Sequence, residues 1–144
     1  MSNIVECYTD ASYSPQTGLC VVGYKIGNHN IITECLTCIK NTQAELYAVE
    51  KCIEICKNFY SKNTCFSQNG IDNDNISISI IIYTDCQRAL QNNYNNKNIK
   101  VNLIKLDGHK KGSLKNDKDK IFSLVDKKVR KVLRENVKNI ENLK

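Results

Sequence analysis

The chain has no apolar run that approaches the ~20 residues needed to cross a bilayer, and it has no internal repeat. Its first residues, MSNIVECYTDAS, also have no basic region followed by a long apolar segment, as a signal peptide would. These absences predict an intracellular protein, cytoplasmic or nuclear, with no membrane partner. With 144 residues, 41% of them hydrophobic and 25% charged, the chain has the composition of a single compact domain, which we expect to be monomeric.

Eight cysteines are present, but without a secretory signal they are expected to be reduced thiols that act as small apolar residues. The alternative is a zinc site formed by Cys35, Cys38, Cys52 and Cys56, because residues four apart on a helix share one face. Cys35 and Cys38 lie in a strand-like segment, where an odd separation directs side chains to opposite faces. This geometry favours free thiols over zinc.

Positive charge is concentrated in the last third of the chain. Residues 99–144 contain fourteen Lys or Arg and six Asp or Glu, a net charge of +8, which leaves −2 for the first 98 residues and gives +6 in total. A basic segment beside acidic residues that bind cations is suited to a polyanion such as nucleic acid, although a solvated Lys-rich helix has the same composition.

Hydrophobic periodicity and turn residues divide the chain into eight elements and one insertion. The predicted elements are strands at 4–10, 18–27, 29–38, 76–84 and 100–108, helices at 42–60, 86–91 and 118–141, and a loop insertion at 61–75. The order β-β-β-α-β-α-β-α predicts an α/β fold with a five-stranded mixed sheet, in which three antiparallel strands precede two parallel strands and helices flank the sheet.

Four acids are expected to meet in one cleft. Asp10 ends the first predicted strand and Asp85 follows the strand at 76–84, while Glu45 lies in the first turn of the first helix and Asp119 begins the last helix. Carboxylates brought together without enough basic partners cannot all stay ionised unless cations neutralise them. The pattern therefore predicts a pair of hard metal ions and cleavage of a phosphodiester.

Four segments carry a family resemblance. They are Tyr8–Ser12 (YTDAS), Asn41–Ala48 (NTQAELYA), Tyr83–Leu90 (YTDCQRAL) and Gly108–Lys111 (GHKK), the last followed by Asp119 ten residues after His109. In this order the segments resemble the type 1 ribonuclease H enzymes, and they extend over nearly the whole chain. The resemblance implies the ribonuclease H fold and an endoribonuclease that hydrolyses the RNA strand of RNA/DNA hybrids, leaving 5′-phosphate and 3′-hydroxyl ends.

The resemblance also implies roles for individual residues. Two Mg²⁺ ions, for which Mn²⁺ can substitute, are expected on Asp10, Glu45, Asp85 and Asp119. His109 is expected to shuttle a proton or to help release the 5′-phosphate. The expected substrate contacts are Ser12, Asn41, Thr42 and Gln87 at the 2′-hydroxyls, with Lys110 and Lys111 at the backbone.

The chain departs from the family pattern at Thr42, where the family commonly has Asn or Gln, in the unusually long segment between Glu45 and Asp85, and in two further places. Only 24 residues separate Asp85 from His109, too few for the extra helix and basic protrusion with which many members hold the hybrid. Lys115 stands where the family often has Asn, so Asp117 and Asp126 are alternatives to Asp119 as the fourth acid; Asp126 is two helical turns further along a similar face.

Two other classes of function compete with this one: another nuclease or strand-transfer enzyme on the same fold, such as a resolvase or integrase, and a catalytically silent nucleic-acid-binding module. The polar set around the cleft favours a reader of 2′-hydroxyls, and the Asp-x-Glu opening of proofreading exonucleases is absent at Asp10-Ala11-Ser12. A silent binder would gain nothing from four acids that repel phosphates.

Overall fold

The computed structural model describes residues 3–37, 40–64, 78–95, 98–106 and 116–143. Along the chain the elements are β1 (Asn3–Tyr13), β2 (Leu19–Ile26), β3 (Ile32–Thr37), α1 (Asn41–Thr64), β4 (Ile78–Thr84), a 3-10 helix (Gln87–Gln91), β5 (Ile99–Lys105) and α2 (Asp117–Asn142). No helix in these ranges is both long enough and apolar enough to span a membrane.

The five strands form one mixed sheet in the order β3-β2-β1-β4-β5. β1, β2 and β3 pair antiparallel, as expected for strands joined by short turns, whereas β1 with β4 and β4 with β5 pair parallel. The prediction of an α/β fold with three antiparallel and two parallel strands is confirmed at this level.

Several predicted elements differ from the structure in type or in their bounds, and the strand predicted at 100–108 ends at Lys105. The α-helix predicted at 86–91 is a 3-10 helix of five residues, Gln87–Gln91, so the described chain has two α-helices. The first helix continues past residue 60 to Thr64, so the predicted loop insertion at 61–75 begins too early; its remainder lies outside the described residues. β3 begins at Ile32 because a turn with Gly27 at φ 55° precedes it.

β1 is longer than predicted, and this changes the position of Asp10. The strand runs to Tyr13 because its antiparallel pairing with β2 continues to Tyr13↔Cys20, where the turn at Ser14–Gly18 closes the hairpin. Asp10 therefore lies inside β1 opposite Gly23, and the prediction that it ends the strand is wrong.

The two α-helices cover opposite faces of the sheet. One core contains Cys7, Ile80 and Ile82 together with the buried side of α1, and the second contains Tyr8 and Val21 with the buried side of α2. Neighbouring residues of β1 belong to different cores because side chains alternate along a strand. Residues two apart in β1, such as Tyr8 and Asp10, therefore share the face that α2 covers.

Small and apolar residues form the buried sides of the two helices. In α1 the fully buried positions include Ala44, Ala48 and Cys52, small residues that let the helix approach the sheet, whereas Phe59 is 50% exposed. In α2 the buried positions include Val125, Val129 and Leu133.

Candidate active site

The carboxyl ends of β1 and β4 lie side by side, and two acids occur there. The strands pair parallel up to Tyr8↔Tyr83. Asp10 and Asp85 each lie two residues beyond this last pair, Asp10 still within β1 and Asp85 just after β4 ends at Thr84. Parallel pairing thus brings together the two acids that the sequence places 75 residues apart.

Asp10 is buried, with 5% of its surface exposed. Burial raises its pKa to about 9, and a hydrogen bond with the Asp126 carboxyl and the charge of Asp85 act in the same direction. The opposing effect is a hydrogen bond from the backbone N–H of Ala11. Asp10 therefore holds a proton at neutral pH unless a cation replaces it.

Glu45 lies one turn inside α1 and extends the acidic group from the other side of the sheet. Its Oε1 accepts a hydrogen bond from Asn41 Nδ2 at 3.2 Å. Burial raises the pKa of Glu45 and the charge of Asp85 adds to this, while hydrogen bonds from the Cys86 thiol and from Asn41 lower it. Glu45, Asp85, Asp10 and Asp126 thus form one continuous series of neighbouring carboxyl groups.

Asp126 is the α2 acid that contacts Asp10, whereas Asp119 closes the start of the helix. Asp119 donates its backbone N–H to Asn116 Oδ1 (2.9 Å) and accepts the Asn116 N–H at Oδ2 (3.1 Å), a reciprocal capping box in which Asp119 is 3% exposed. Asp126 lies seven residues further on, about 10 Å along the axis, where Arg130 Nε also donates to it at 3.0 Å. The remaining alternative, Asp117, is exposed.

The predicted substrate-contact residues surround this group where they are described. Ser12 is half-buried at the end of β1, and Thr42 is half-buried at the start of α1. Asn41 and Gln87 are exposed and already hold protein partners, Glu45 and the ammonium of Lys105 respectively. His109, Lys110 and Lys111 lie outside the described residues.

Lys105 is a neighbour of the site that the sequence patterns did not identify. It ends β5, stands opposite Thr84 in the parallel register, and donates from Nζ to Gln87 Oε1 at 3.1 Å. The feature of the sequence that could have identified Lys105 is its position at the carboxyl end of a predicted strand that neighbours the strand before Asp85. An ammonium group there is suited to a phosphate that approaches the acids.

The donor set fits hard divalent cations. The four carboxyl groups offer oxygen ligands from a strand, two helices and the segment after β4, and Mg²⁺ and Mn²⁺ prefer such ligands. Burial raises the pKa of Asp10 and Glu45 and the charge of Asp85 adds to this, so positive charge at these two acids, beyond that of Arg130 at Asp126, would favour their ionised forms. Bound cations would supply that charge.

No family model matches this chain, and no curated protein is significantly similar to it.

Proposed function

We propose that this chain is a metal-dependent endoribonuclease of the type 1 ribonuclease H family that hydrolyses the RNA strand of RNA/DNA hybrids. The observation that carries the proposal is the series of four acids at the carboxyl ends of the central parallel strands, with a buried Asp10 whose pKa is raised to about 9. The strand order β3-β2-β1-β4-β5 and helices on both faces support the fold assignment.

Asp10, Glu45 and Asp85 would hold two Mg²⁺ ions, or Mn²⁺ in their place. As the fourth ligand we propose Asp126 instead of Asp119, because Asp126 contacts Asp10 while the Asp119 carboxylate caps α2. When bound, the ions would activate a water for in-line attack and stabilise the departing 3′ oxygen. The protein would contribute fixed carboxylates on rigid elements and a neighbouring ammonium group.

The substrate would approach over the carboxyl edge of the sheet, where basic side chains flank the acids. Lys105 lies beside Gln87, and α2 presents a row of exposed basic residues beyond Asp126. The row consists of Lys127, Lys128, Arg130, Lys131 and Arg134. These charges would bind phosphates of either strand without reading sequence.

Selection of RNA would depend on polar groups at the cleft that reach 2′-hydroxyls in the hybrid's minor groove. Asn41 and Gln87 are exposed amides, bonded to Glu45 and Lys105 respectively, and each can exchange its present partner for a sugar hydroxyl. Ser12 adds a hydroxyl close to Asp10. His109 is proposed to assist product release, as its Gly-His-Lys context implies.

The proposal is tested with labelled RNA/DNA hybrid, double-stranded RNA and double-stranded DNA, each with Mg²⁺, Mn²⁺ or EDTA. We expect cleavage of the hybrid's RNA strand alone, its loss in EDTA, and its loss in Asp10→Asn. Glu45→Gln should also abolish cleavage, whereas the matched control Glu50→Gln, exposed on the same helix, should remain active.

Two results would overturn the proposal. Equal cleavage of double-stranded DNA or of a branched DNA junction would indicate a resolvase or integrase type of enzyme. Binding of the hybrid without cleavage under any metal condition would indicate a non-catalytic module.

A further inference from the structure

Three cysteines converge in the core on the α1 side of the sheet. Cys7 comes from the central strand β1, and Cys52 and Cys56 come from successive turns of α1. All three are buried, with at most 1% of their surface exposed, and their sulfurs lie within 4.8 Å of one another. The Cys7 and Cys56 sulfurs are 3.8 Å apart.

The 3.8 Å between the Cys7 and Cys56 sulfurs is the separation of two thiolate ligands on one metal ion. A metal–sulfur bond of about 2.3 Å places two ligand sulfurs about 3.8–4.0 Å apart in tetrahedral or trigonal geometry. A disulfide would instead require sulfurs about 2.05 Å apart. Helical positions four apart direct Cys52 and Cys56 to the same face, and β1 supplies the third donor from across the interface.

Metal binding would change the charge of the cluster. Each thiol that becomes a ligand would release its proton to solvent. Three thiolates with Zn²⁺ would carry a net charge of −1.

One side of the cluster borders a cavity. A cavity of about 950 Å³ adjoins it, and Cys56 forms part of the cavity wall together with Val5, Gly27, His29 and Phe59. Within the described part of the chain, the cluster of mutually close donors contains these three sulfurs and no carboxylate or imidazole. An all-sulfur donor set selects soft ions over the Mg²⁺ expected at the acids.

We propose that Cys7, Cys52 and Cys56 form a binding site for a thiophilic metal ion, Cu(I) or Zn(II), separate from the carboxylate site. The ion would join α1 to β1. Asp10 follows Cys7 by three residues and Glu45 precedes Cys52 by seven, so the ion would fix the two elements that carry these acids relative to each other. The sequence alternative grouped Cys35 and Cys38 with Cys52 and Cys56. Cys35 is exposed on β3 and is not part of the cluster, and Cys38 lies outside the described residues.

The test uses the full chain, reduced with a phosphine under anaerobic conditions, in excess Mg²⁺ to fill the carboxylates. Zn²⁺ or Cu⁺ is added alone, unbound metal is removed, and retained metal is measured by mass spectrometry. We expect one equivalent of at least one ion in the wild type and in Cys20→Ala, a matched control that removes an equally buried thiol from a different cluster. Cys52→Ala should lose that equivalent, and Cys52→Ser should too if the alanine variant does not fold.

Metal binding should also raise the unfolding temperature of the wild type and leave that of Cys52→Ser unchanged. The ion retained by the wild type identifies the metal. The proposal is overturned if neither ion is retained, if Cys52→Ala and Cys52→Ser retain as much as the wild type, or if the metal-treated protein instead contains a Cys7–Cys56 disulfide. None of these outcomes depends on hybrid cleavage.

Discussion

Replacement of Gly23 by alanine would place a methyl group at the contact between β2 and α2. A Cβ on Gly23 would lie 2.3 Å from Val129 Cγ2 and 3.3 Å from Val125 Cγ1. Carbon atoms normally approach to about 3.5–4.0 Å, so the first contact is too short by more than 1 Å. Valine has one strongly preferred rotamer in a helix, and the strain therefore cannot be relieved by a simple side-chain rotation.

The expected result is that α2 moves away from the sheet. Overpacking of this kind costs about 1–3 kcal/mol of the free energy of unfolding, and we expect the upper half of that range because both neighbours are fully buried. Gly23 is the cross-strand partner of Asp10, and Asp126 follows Val125 on the moving helix. Hybrid cleavage should therefore fall, by at least tenfold, together with stability.

Urea denaturation of four proteins measures this effect: the wild type, Gly23→Ala, Val129→Ala and the double variant. Val129→Ala alone should cost about 2 kcal/mol through the lost burial and the cavity. In that background the Gly23→Ala methyl has space, so its cost should shrink to near zero. A Gly23→Ala variant within 0.5 kcal/mol of the wild type, or strictly additive costs in the double variant, would refute the predicted clash.

Three further predictions concern the acids and His109. In EDTA, the stability of the wild type should fall as pH rises from about 4 to about 9, because burial raises the folded-state pKa of Asp10 above its unfolded value. Asp10→Asn should remove this pH dependence and should be more stable than the wild type at pH 7 by up to roughly 4 kcal/mol. Equal pH profiles of the two proteins in denaturation would contradict this prediction. Asp126→Asn should reduce hybrid cleavage at least a hundredfold, whereas Asp119→Ala should mainly lower the unfolding free energy by about 1 kcal/mol through loss of the capping box. Cleavage and denaturation are measured on both variants. A larger loss of cleavage in Asp119→Ala than in Asp126→Asn would restore Asp119 as the ligand. His109→Ala should slow multiple-turnover cleavage while hybrid binding in a filter assay stays close to wild type; complete loss of binding would exclude a role in turnover.

The strand pattern allowed the sheet to be predicted because its signals are local. The β-branched runs and Gly turns define the hairpins, and the long apolar run ending at Thr84 is typical of a central parallel strand. From these elements it followed that Asp10 and Asp85 would meet. The short helix after Asp85 was predicted as α-helical, yet a segment of five residues has too few backbone hydrogen bonds to favour the α form.

The fourth acid was harder to predict because it depends on where α2 crosses the sheet. Asp119 and Asp126 lie two turns apart on similar faces, so periodicity alone does not separate them. The contact of Gly23 with Val125 and Val129 sets the helix position and brings Asp126 to Asp10. The same limit applied to the cysteines, since Cys7 meets Cys52 and Cys56 only through tertiary packing of α1 on β1.

Because Asp126 lies inside α2, the connection that precedes the helix can change in sequence without moving this carboxylate. The start of the helix is fixed independently by the Asn116–Asp119 capping box and by the ion pair of Lys118 with Glu6 on β1. From that anchor, helical rise and the packing of Val125 and Val129 against Gly23 position Asp126. Insertions, deletions or exchanged segments between Leu106 and Asn116 should therefore alter substrate preference while the carboxylates stay in register, which makes this connection the first place to engineer the protein.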